Sequence, residues 1–286
     1  MEGKQAGLRP LVIGKLKAVR PVIQGGMGVG ISLSSLAGAA AKAGGIGIIS
    51  TAQIGFSRPD FKKNPMEANL KAIHTELEKA RKIAPEGILG FNIMVATKEY
   101  AKYVKEAVKA GADVIISGAG LPIDMPKFVK EAEGREDCSS RRTMIAPIVS
   151  SVKSAMVICR MWDRKYQTAP DFVVVEYGAD TDHVAETYDE GKYDSEIRGI
   201  IDLVKSFAEK YGKKIPVISA GGVFDHKDVL HHLALGADGV QVGTRFVTTE
   251  ECDAPMAYKK AYLDAGQEDI VIVKSPVGMP GRAIKN

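Results

Sequence analysis

The sequence predicts an α/β fold, a TIM (β/α)8 barrel with eight parallel strands. Three observations predict it: eight short apolar segments, helical periodicity between them, and glycine at the helix-to-strand junctions. The apolar segments are β-branched or continuously apolar, as expected for strands that are covered on both faces. They lie at 21–24, 45–50, 88–95, 113–117, 143–149, 172–176, 215–220 and 239–243.

The segments between these strands carry the pattern of amphipathic helices. Apolar residues recur at three- and four-residue steps across 66–80 and across 197–207. Gly111 and Gly236 each stand between such a segment and a strand, where a left-handed glycine ends a helix. A repeated βα unit explains this pattern. A doubly wound open sheet is the alternative, although its first βα turn lacks the GxGxxG fingerprint.

Length and composition fit one domain. A chain of 286 residues can bury one barrel core, and no Pro/Ser-rich or low-complexity stretch suggests a linker. We therefore expect residues 1–286 to form a single domain, with a short C-terminal extension from about residue 266. The formal net charge is only +4, and the lysines at 98–109 fit a solvated helix face, so we expect no nucleic-acid partner.

The cysteines and the length of the apolar runs indicate the cellular compartment in which the protein is expected. Cys138, Cys159 and Cys252 are widely spaced and form no CxxC pair, so they predict neither a disulfide framework nor a metal site. No run is long enough to cross a bilayer. We therefore expect a cytoplasmic protein without a membrane partner. Apolar positions at 256–258 and 261–263 fit either a homodimer contact or a helix packed on the barrel.

Two successive strands end in residues without bulk, at 216–222 (PVISAGG) and 239–244 (GVQVGT). Backbone N–H groups at such ends can close on a phosphate, and TIM barrels often bind phosphate after their last two strands. A single glycine-containing strand end would be explained equally well by an ordinary tight turn between strand and helix. Two of them, with a threonine hydroxyl at the second, favour a phosphorylated cofactor on Gly221, Gly222, Gly243 and Thr244.

Five motifs in order along the chain carry a family resemblance. They are PVIQGGM at 21–27, GFNIM at 90–94, SGAG at 117–120, AGG at 220–222 and GTRF at 243–246. Together they resemble the nitronate monooxygenase family, formerly called 2-nitropropane dioxygenase, which includes FMN-dependent enoyl-acyl-carrier-protein reductases. The similarity runs in register from about residue 21 to residue 284.

The resemblance implies a TIM barrel that binds FMN, with the phosphate on the four residues named above. The flavin ring would lie near Gly25, Gly26, Met27 and Asn92, and Gly118 would also line it. Taken without the resemblance, Met27 is equally well explained as core filling and Asn92 as a capped strand end.

The resemblance also assigns a catalytic histidine. The family usually has Ala-Gly-Gly-His-Leu-Gly after the sixth strand, and the matching stretch here is ADTDHVA at 179–185. His183 is therefore the catalytic candidate, although the glycines before it are absent. Asp180 and Asp182 should favour the imidazolium form, which suits His183 as a proton donor better than as a base.

The implied activity is an FMN-dependent oxidation of a small nitronate or carbanion by O2. The alternatives are an enoyl-acyl-carrier-protein reductase that uses NAD(P)H, an FMN-binding protein that has lost the family activity, and a barrel without cofactor. Consumption of NAD(P)H separates the first two, since nitronate oxidation needs none. Many relatives continue past the position of Ile284 with a Cys-containing segment, so we expect a shortened or trimmed chain with part of its lid missing.

Overall fold

A computed structural model describes residues 8–134, 143–176, 190–274 and 280–285. Eight parallel strands form a closed barrel, in the spatial order β10-β3-β4-β5-β6-β7-β8-β9, which confirms the predicted fold. Each predicted strand matches a barrel strand to within two residues at either end. In chain order the strands are β1 (Leu11–Ile13), β2 (Leu16–Ala18), β3 (Val22–Gln24), β4 (Ile46–Ser50), β5 (Ile88–Met94), β6 (Val114–Gly118), β7 (Met144–Val149), β8 (Val173–Glu176), β9 (Val217–Ala220), β10 (Gly239–Val242), β11 (Ile270–Lys274) and β12 (Pro280–Ile284).

Helices surround the barrel and follow its strands. The predicted left-handed glycines are present: Gly111 has φ 91° after α3, and Gly236 has φ 105° after α7. Both let the chain turn directly from helix into strand. The helices are α1 (Ser34–Lys42), α2 (Pro65–Ile83), α3 (Tyr100–Ala110), α4 (Met125–Ala132), α5 (Val152–Tyr166), α6 (Glu190–Tyr211), α7 (His226–Ala234) and α8 (Met256–Asp264).

The core has two layers because the strand side chains alternate between the barrel interior and the helices. Ile46 and Ile48 of β4 belong to the interior cluster, whereas Ile49 packs in the outer cluster between strands and helices. Gly47 faces α1 so closely that a Cβ there would lie 1.9 Å from the carbonyl oxygen of Ala37. The barrel interior is therefore packed with side chains, and a ligand must bind at one of its ends.

The hairpin of β1 and β2 closes one of these ends. Leu11, Ile13 and Ala18 are buried in the interior cluster, and the chain then enters β3 at its amino end. The sequence analysis did not predict this hairpin, since its strands have only three residues each. With the amino end plugged, the carboxyl ends of the strands remain as the place for a site.

The C-terminal part adds α8 and an antiparallel hairpin of β11 and β12. The apolar residues Met256 and Leu263 of α8 are exposed, at 72% and 68%. The residue of α8 that turns inward is Lys259, whose ammonium donates to the carbonyl oxygens of Thr249 and Glu250. Hydrogen bonds to a loop therefore help to hold the helix, and Tyr262, one of the apolar positions considered above, packs against a small cluster that includes Ile31 and Val247. Among the described helices, none has the length and apolar character needed to cross a membrane.

Candidate active site

A cavity of about 390 Å³ lies at the carboxyl ends of the barrel strands. Its size is within the usual range for small-molecule sites. The residues that line it lie near the carboxyl ends of β5, β7, β8, β9 and β10 or in the loops after β3, β9 and β10, together with Arg282 of β12. They include eight of the nine residues that were predicted to bind the cofactor. These eight are Gly25, Gly26, Met27, Asn92, Gly221, Gly222, Gly243 and Thr244.

Two consecutive glycines shape one side of the cavity. Gly221 has φ 90° and Gly222 has φ 75°, a region that residues with a side chain rarely adopt. Within the described part of the chain, neither amide donates a hydrogen bond. Successive amides of this kind form a concave anion-binding site. Among the described residues, a Cβ on Gly243 would meet only the Met27 side chain, whose sulfur would lie 3.6 Å away, so the backbone is open here too.

Tyr193 of α6 fixes the strand ends beside these glycines. Its hydroxyl oxygen is buried and lies 2.6 Å from the carbonyl oxygen of Ala220 and 2.8 Å from that of Val175. The amide of Ala220 donates to the same hydroxyl at 3.2 Å. One side chain thus joins the ends of β8 and β9, which present Glu176 and Gly221 to the cavity.

The opposite side of the cavity is formed by the loop after β3. Inside this loop, the Ser32 hydroxyl accepts hydrogen bonds from the Met27 amide and from the buried Gln24 side chain, each at 3.0 Å. The Asn92 side chain donates to the carbonyl oxygen of Gly26 at 3.1 Å. Asn92 therefore lines the cavity and also holds the backbone of the loop.

A second anchor of this loop is Asp253, which lies far away in sequence. Its carboxylate accepts from the amides of Leu33, Ser35 and Leu36 at 2.8 to 3.2 Å, and so caps α1. Glu76 of α2 accepts from the remaining amide, that of Ser34, at 3.1 Å. Burial raises the pKa of Asp253, and the three amide hydrogen bonds oppose that rise.

Three charged residues on the cavity wall were not among the predicted site residues: Glu176, Arg245 and Arg282. Burial raises the pKa of Glu176 above its ordinary value. Its carboxyl group makes no hydrogen bond or ion pair within the residues that the structure describes. The Arg245 guanidinium lies 4.8 Å from the centre of the Phe224 ring, and Arg282 reaches the cavity from β12.

Sequence signals existed for two of these three residues. Glu176 ends a barrel strand, where a TIM barrel places its functional groups. Arg245 lies inside the GTRF motif at 243–246. Arg282 had no such signal, because only the folded hairpin brings β12 to the cavity.

Two predicted residues do not fall on this wall. Gly118 ends β6 and packs behind the cavity, where a Cβ would lie 2.9 Å from the Cβ of Ile148. Ile148 itself lines the cavity, so Gly118 makes room for it. His183 lies outside the described residues, and its catalytic role stays a prediction.

The comparison with protein families agrees with this arrangement. The family described as nitronate monooxygenase matches residues 9–286 of the chain. The chain belongs to the nitronate monooxygenase family. This is a family of oxidoreductases, and the resemblance inferred from the five motifs is thereby confirmed.

Individual relatives are distant. A probable nitronate monooxygenase from Staphylococcus saprophyticus is 23% identical over 287 residues, which cover 96% of this chain and 78% of the relative. A dehydrogenase from Mycobacterium tuberculosis, named for a 5-hydroxy-7a-methyl-1-oxo-octahydro-1H-indene-4-carboxyl-CoA substrate, is 27% identical over 268 residues. The match covers 93% of this chain and 63% of that relative's length.

Solved structures share the fold of this chain. FabK from Thermotoga maritima is 25% identical, with a TM-score of 0.66 over 93% of this chain and 71% of that chain. A nitroalkane oxidase from Streptomyces ansochromogenes has a TM-score of 0.65 at 18% identity, over 93% of this chain and 77% of its own. At that identity the similarity shows the fold alone.

Proposed function

We propose that this member of the nitronate monooxygenase family is an FMN-dependent oxidoreductase that oxidises a small nitronate or similar carbanion with O2. The observation that carries the proposal is the pair of left-handed glycines, Gly221 and Gly222, whose amides are available at a cavity on the carboxyl end of the barrel. A phosphate-bearing ligand fits such a site. Membership of the family favours FMN as that ligand.

The donor groups around the cavity fit the parts of FMN. The phosphate would be held by Gly221, Gly222, Gly243 and Thr244, and the ring by the loop around Met27 together with Asn92. Bound FMN would supply the acceptor for the electrons of the carbanion and their route to O2. The protein must then orient the substrate, exclude water and manage protons.

Two acidic groups are candidates for the proton. Glu176 faces the cavity with a raised pKa, so it can keep a proton on its carboxyl oxygen closer to neutral pH than an ordinary glutamate. His183 is the candidate that the family motif assigns. Ile148 and Met27 give the cavity apolar walls, which limit the access of water to the reacting atoms.

An enoyl-thioester reductase that uses NAD(P)H is the second candidate. It is favoured by the relative whose name gives an acyl-CoA substrate, since an acyl-CoA is a thioester. In this reaction reduced flavin would give hydride, and Glu176 or His183 would supply the proton. The changed loop around His183 also supports a third reading, in which FMN binds without turnover.

Two assays on the purified protein separate these functions. Oxygen uptake with an alkyl nitronate, in the absence of NADH and NADPH, is the result expected for the leading proposal. Bleaching of the flavin by NADH without air, followed by oxidation on addition of an enoyl thioester, would instead favour the reductase. A flavin-loaded protein that is inactive in both assays would contradict both enzymatic readings.

A further inference from the structure

The C-terminal hairpin contributes a cation to the cavity. Arg282 lies in β12, and its backbone position is fixed by pairing with Ile272 of β11. Its side chain lines the same cavity as the glycines after β9 and β10. The hairpin follows α8, which itself follows β10, so the chain returns to the strand end from which Gly243 and Thr244 come.

A second cation, Arg245, joins the two glycine loops. Its guanidinium lies over the ring of Phe224, which follows Gly222 and Val223 in the first loop, while Arg245 follows Thr244 in the second. A guanidinium can stack through its face and still donate hydrogen bonds in its own plane. Arg245 can therefore pack on Phe224 and bind an anion at the same time.

The charges on the wall favour a strongly anionic group at this side. Among the described residues that line the cavity, the charged ones are Arg245, Arg282 and Glu176, and burial opposes ionisation of the last. A phosphate monoester carries close to two negative charges near neutral pH. The flavin ring and ribityl chain are neutral, so only the phosphate of FMN matches two guanidinium groups.

We propose that Arg282 is a specificity-determining residue for the phosphate of the flavin, so that the C-terminal hairpin makes the site select FMN over riboflavin. This inference rests on the proposed function, since it requires that a flavin binds in this cavity. Arg282 supplies charge and hydrogen bonds to the phosphate oxygens, while the glycine amides supply its cradle. Riboflavin, which lacks the phosphate, gains nothing from Arg282.

The test compares two ligands with three variants of the full chain. Dissociation constants for FMN and for riboflavin are measured on flavin-free protein by quenching of flavin fluorescence. Arg282→Gln should weaken FMN binding by about ten- to a hundredfold, the usual effect of a charge-assisted hydrogen bond, and change riboflavin binding by less than about twofold. Arg282→Lys should lie between the parent and Arg282→Gln for FMN.

A neighbouring lysine gives the matched control. Lys285 is exposed near the end of the same hairpin and does not line the cavity. Lys285→Gln removes the same charge, so it should leave both constants unchanged.

Each of the following results would overturn the inference. Equal weakening of FMN and riboflavin by Arg282→Gln would mean that the residue only holds the hairpin in place. Unchanged FMN binding would remove Arg282 from the cofactor site, and a higher KM for the substrate alone would assign it to the substrate. If the parent binds FMN no more tightly than riboflavin, the phosphate is not recognised at all. If the parent protein binds neither flavin, the proposed function is wrong as well. This result differs from the others, in which the parent protein still binds a flavin.

Discussion

At the scale of single residues, the cavity depends on backbone that only glycine can provide. Gly221 and Gly222 combine positive φ angles with amides that have no hydrogen-bond acceptor among the described residues. Side chains supply the remaining chemistry: Asn92 fixes the loop after β3, Glu176 offers a carboxyl group and two arginines offer positive charge. Each of these can be tested separately.

We expect Gly222→Asp to abolish flavin retention. The substitution places a side chain and a negative charge where the phosphate would rest, and it also strains a residue with φ 75° by about 1–2 kcal/mol. The ratio of flavin to protein after purification is the measurement. Gly212→Asp is the control, because Gly212 has φ 58° with open space around it and lies away from the cavity. A Gly222→Asp protein as yellow as the parent would place the phosphate elsewhere.

We expect Glu176→Gln to change how stability depends on pH. Burial raises the folded-state pKa of Glu176, so the folded protein loses stability as pH rises from the ordinary carboxyl range through that raised value. Glutamine does not titrate and avoids this loss. Melting temperatures of parent and variant, measured from acidic to alkaline pH, should diverge in favour of the variant as pH rises. Parallel curves would show that the pKa of Glu176 is ordinary.

We expect His183→Ala to keep bound FMN and to lower turnover by roughly 10²- to 10⁴-fold, as for loss of a positioned acid or base. The phosphate residues lie on other strands, so retention should not depend on His183. Steady-state kinetics and flavin content of parent and variant check this. Equal rates would remove His183 from the mechanism and leave Glu176 as the proton donor to be tested.

At the scale of elements, the loop after β3 and α1 form one unit that other parts of the chain hold in place. Asn92 of β5 holds the loop at Gly26, and Asp253, in the segment before α8, holds the first turn of α1. The capping group comes from about two hundred residues away in sequence, so local sequence could not reveal it.

We expect Asp253→Ala to lower stability by about 1–2 kcal/mol, since three amides of α1 lose their shared acceptor. Weaker flavin binding should follow, because the same loop carries Met27. Denaturant unfolding and flavin titration measure the two effects. Asp202→Ala is the control: its carboxylate is exposed, and its ion pair with Lys205 should contribute less than about 1 kcal/mol. If both variants behaved alike, the capping role of Asp253 would be wrong.

Some elements of the fold could be predicted from the sequence and others could not. The barrel strands were located because both faces of each are buried, which gives a nearly continuous apolar run, as in IGIIS at 46–50. The hairpin of β1 and β2 was missed because each strand has only three residues, which is too short for a periodic pattern. The central residue of each strand, Val12 or Lys17, is exposed. Arg282 was missed because its place at the cavity depends on how the last hairpin folds back.

At the scale of the whole molecule, a plugged barrel concentrates its functional groups at one end. The β1–β2 hairpin fills the amino end, and the cavity at the carboxyl end is lined by residues at the ends of six of the eight strands or in the loops after them, and by Arg282 of β12. The two glycine-tipped strand ends predicted Gly221, Gly222, Gly243 and Thr244 on this cavity, and the family resemblance implied four more of its residues. The charged groups, to which we assign cofactor affinity and proton chemistry, are brought onto one wall by the topology.

Both proposals require that this cavity binds FMN. The most direct test is the absorption spectrum of the purified protein, followed by release and identification of the bound flavin. We predict the spectrum of oxidised flavin at close to one flavin per chain, with FMN, and not FAD or riboflavin, released on denaturation. A colourless protein that takes up no FMN when incubated with it would contradict the account.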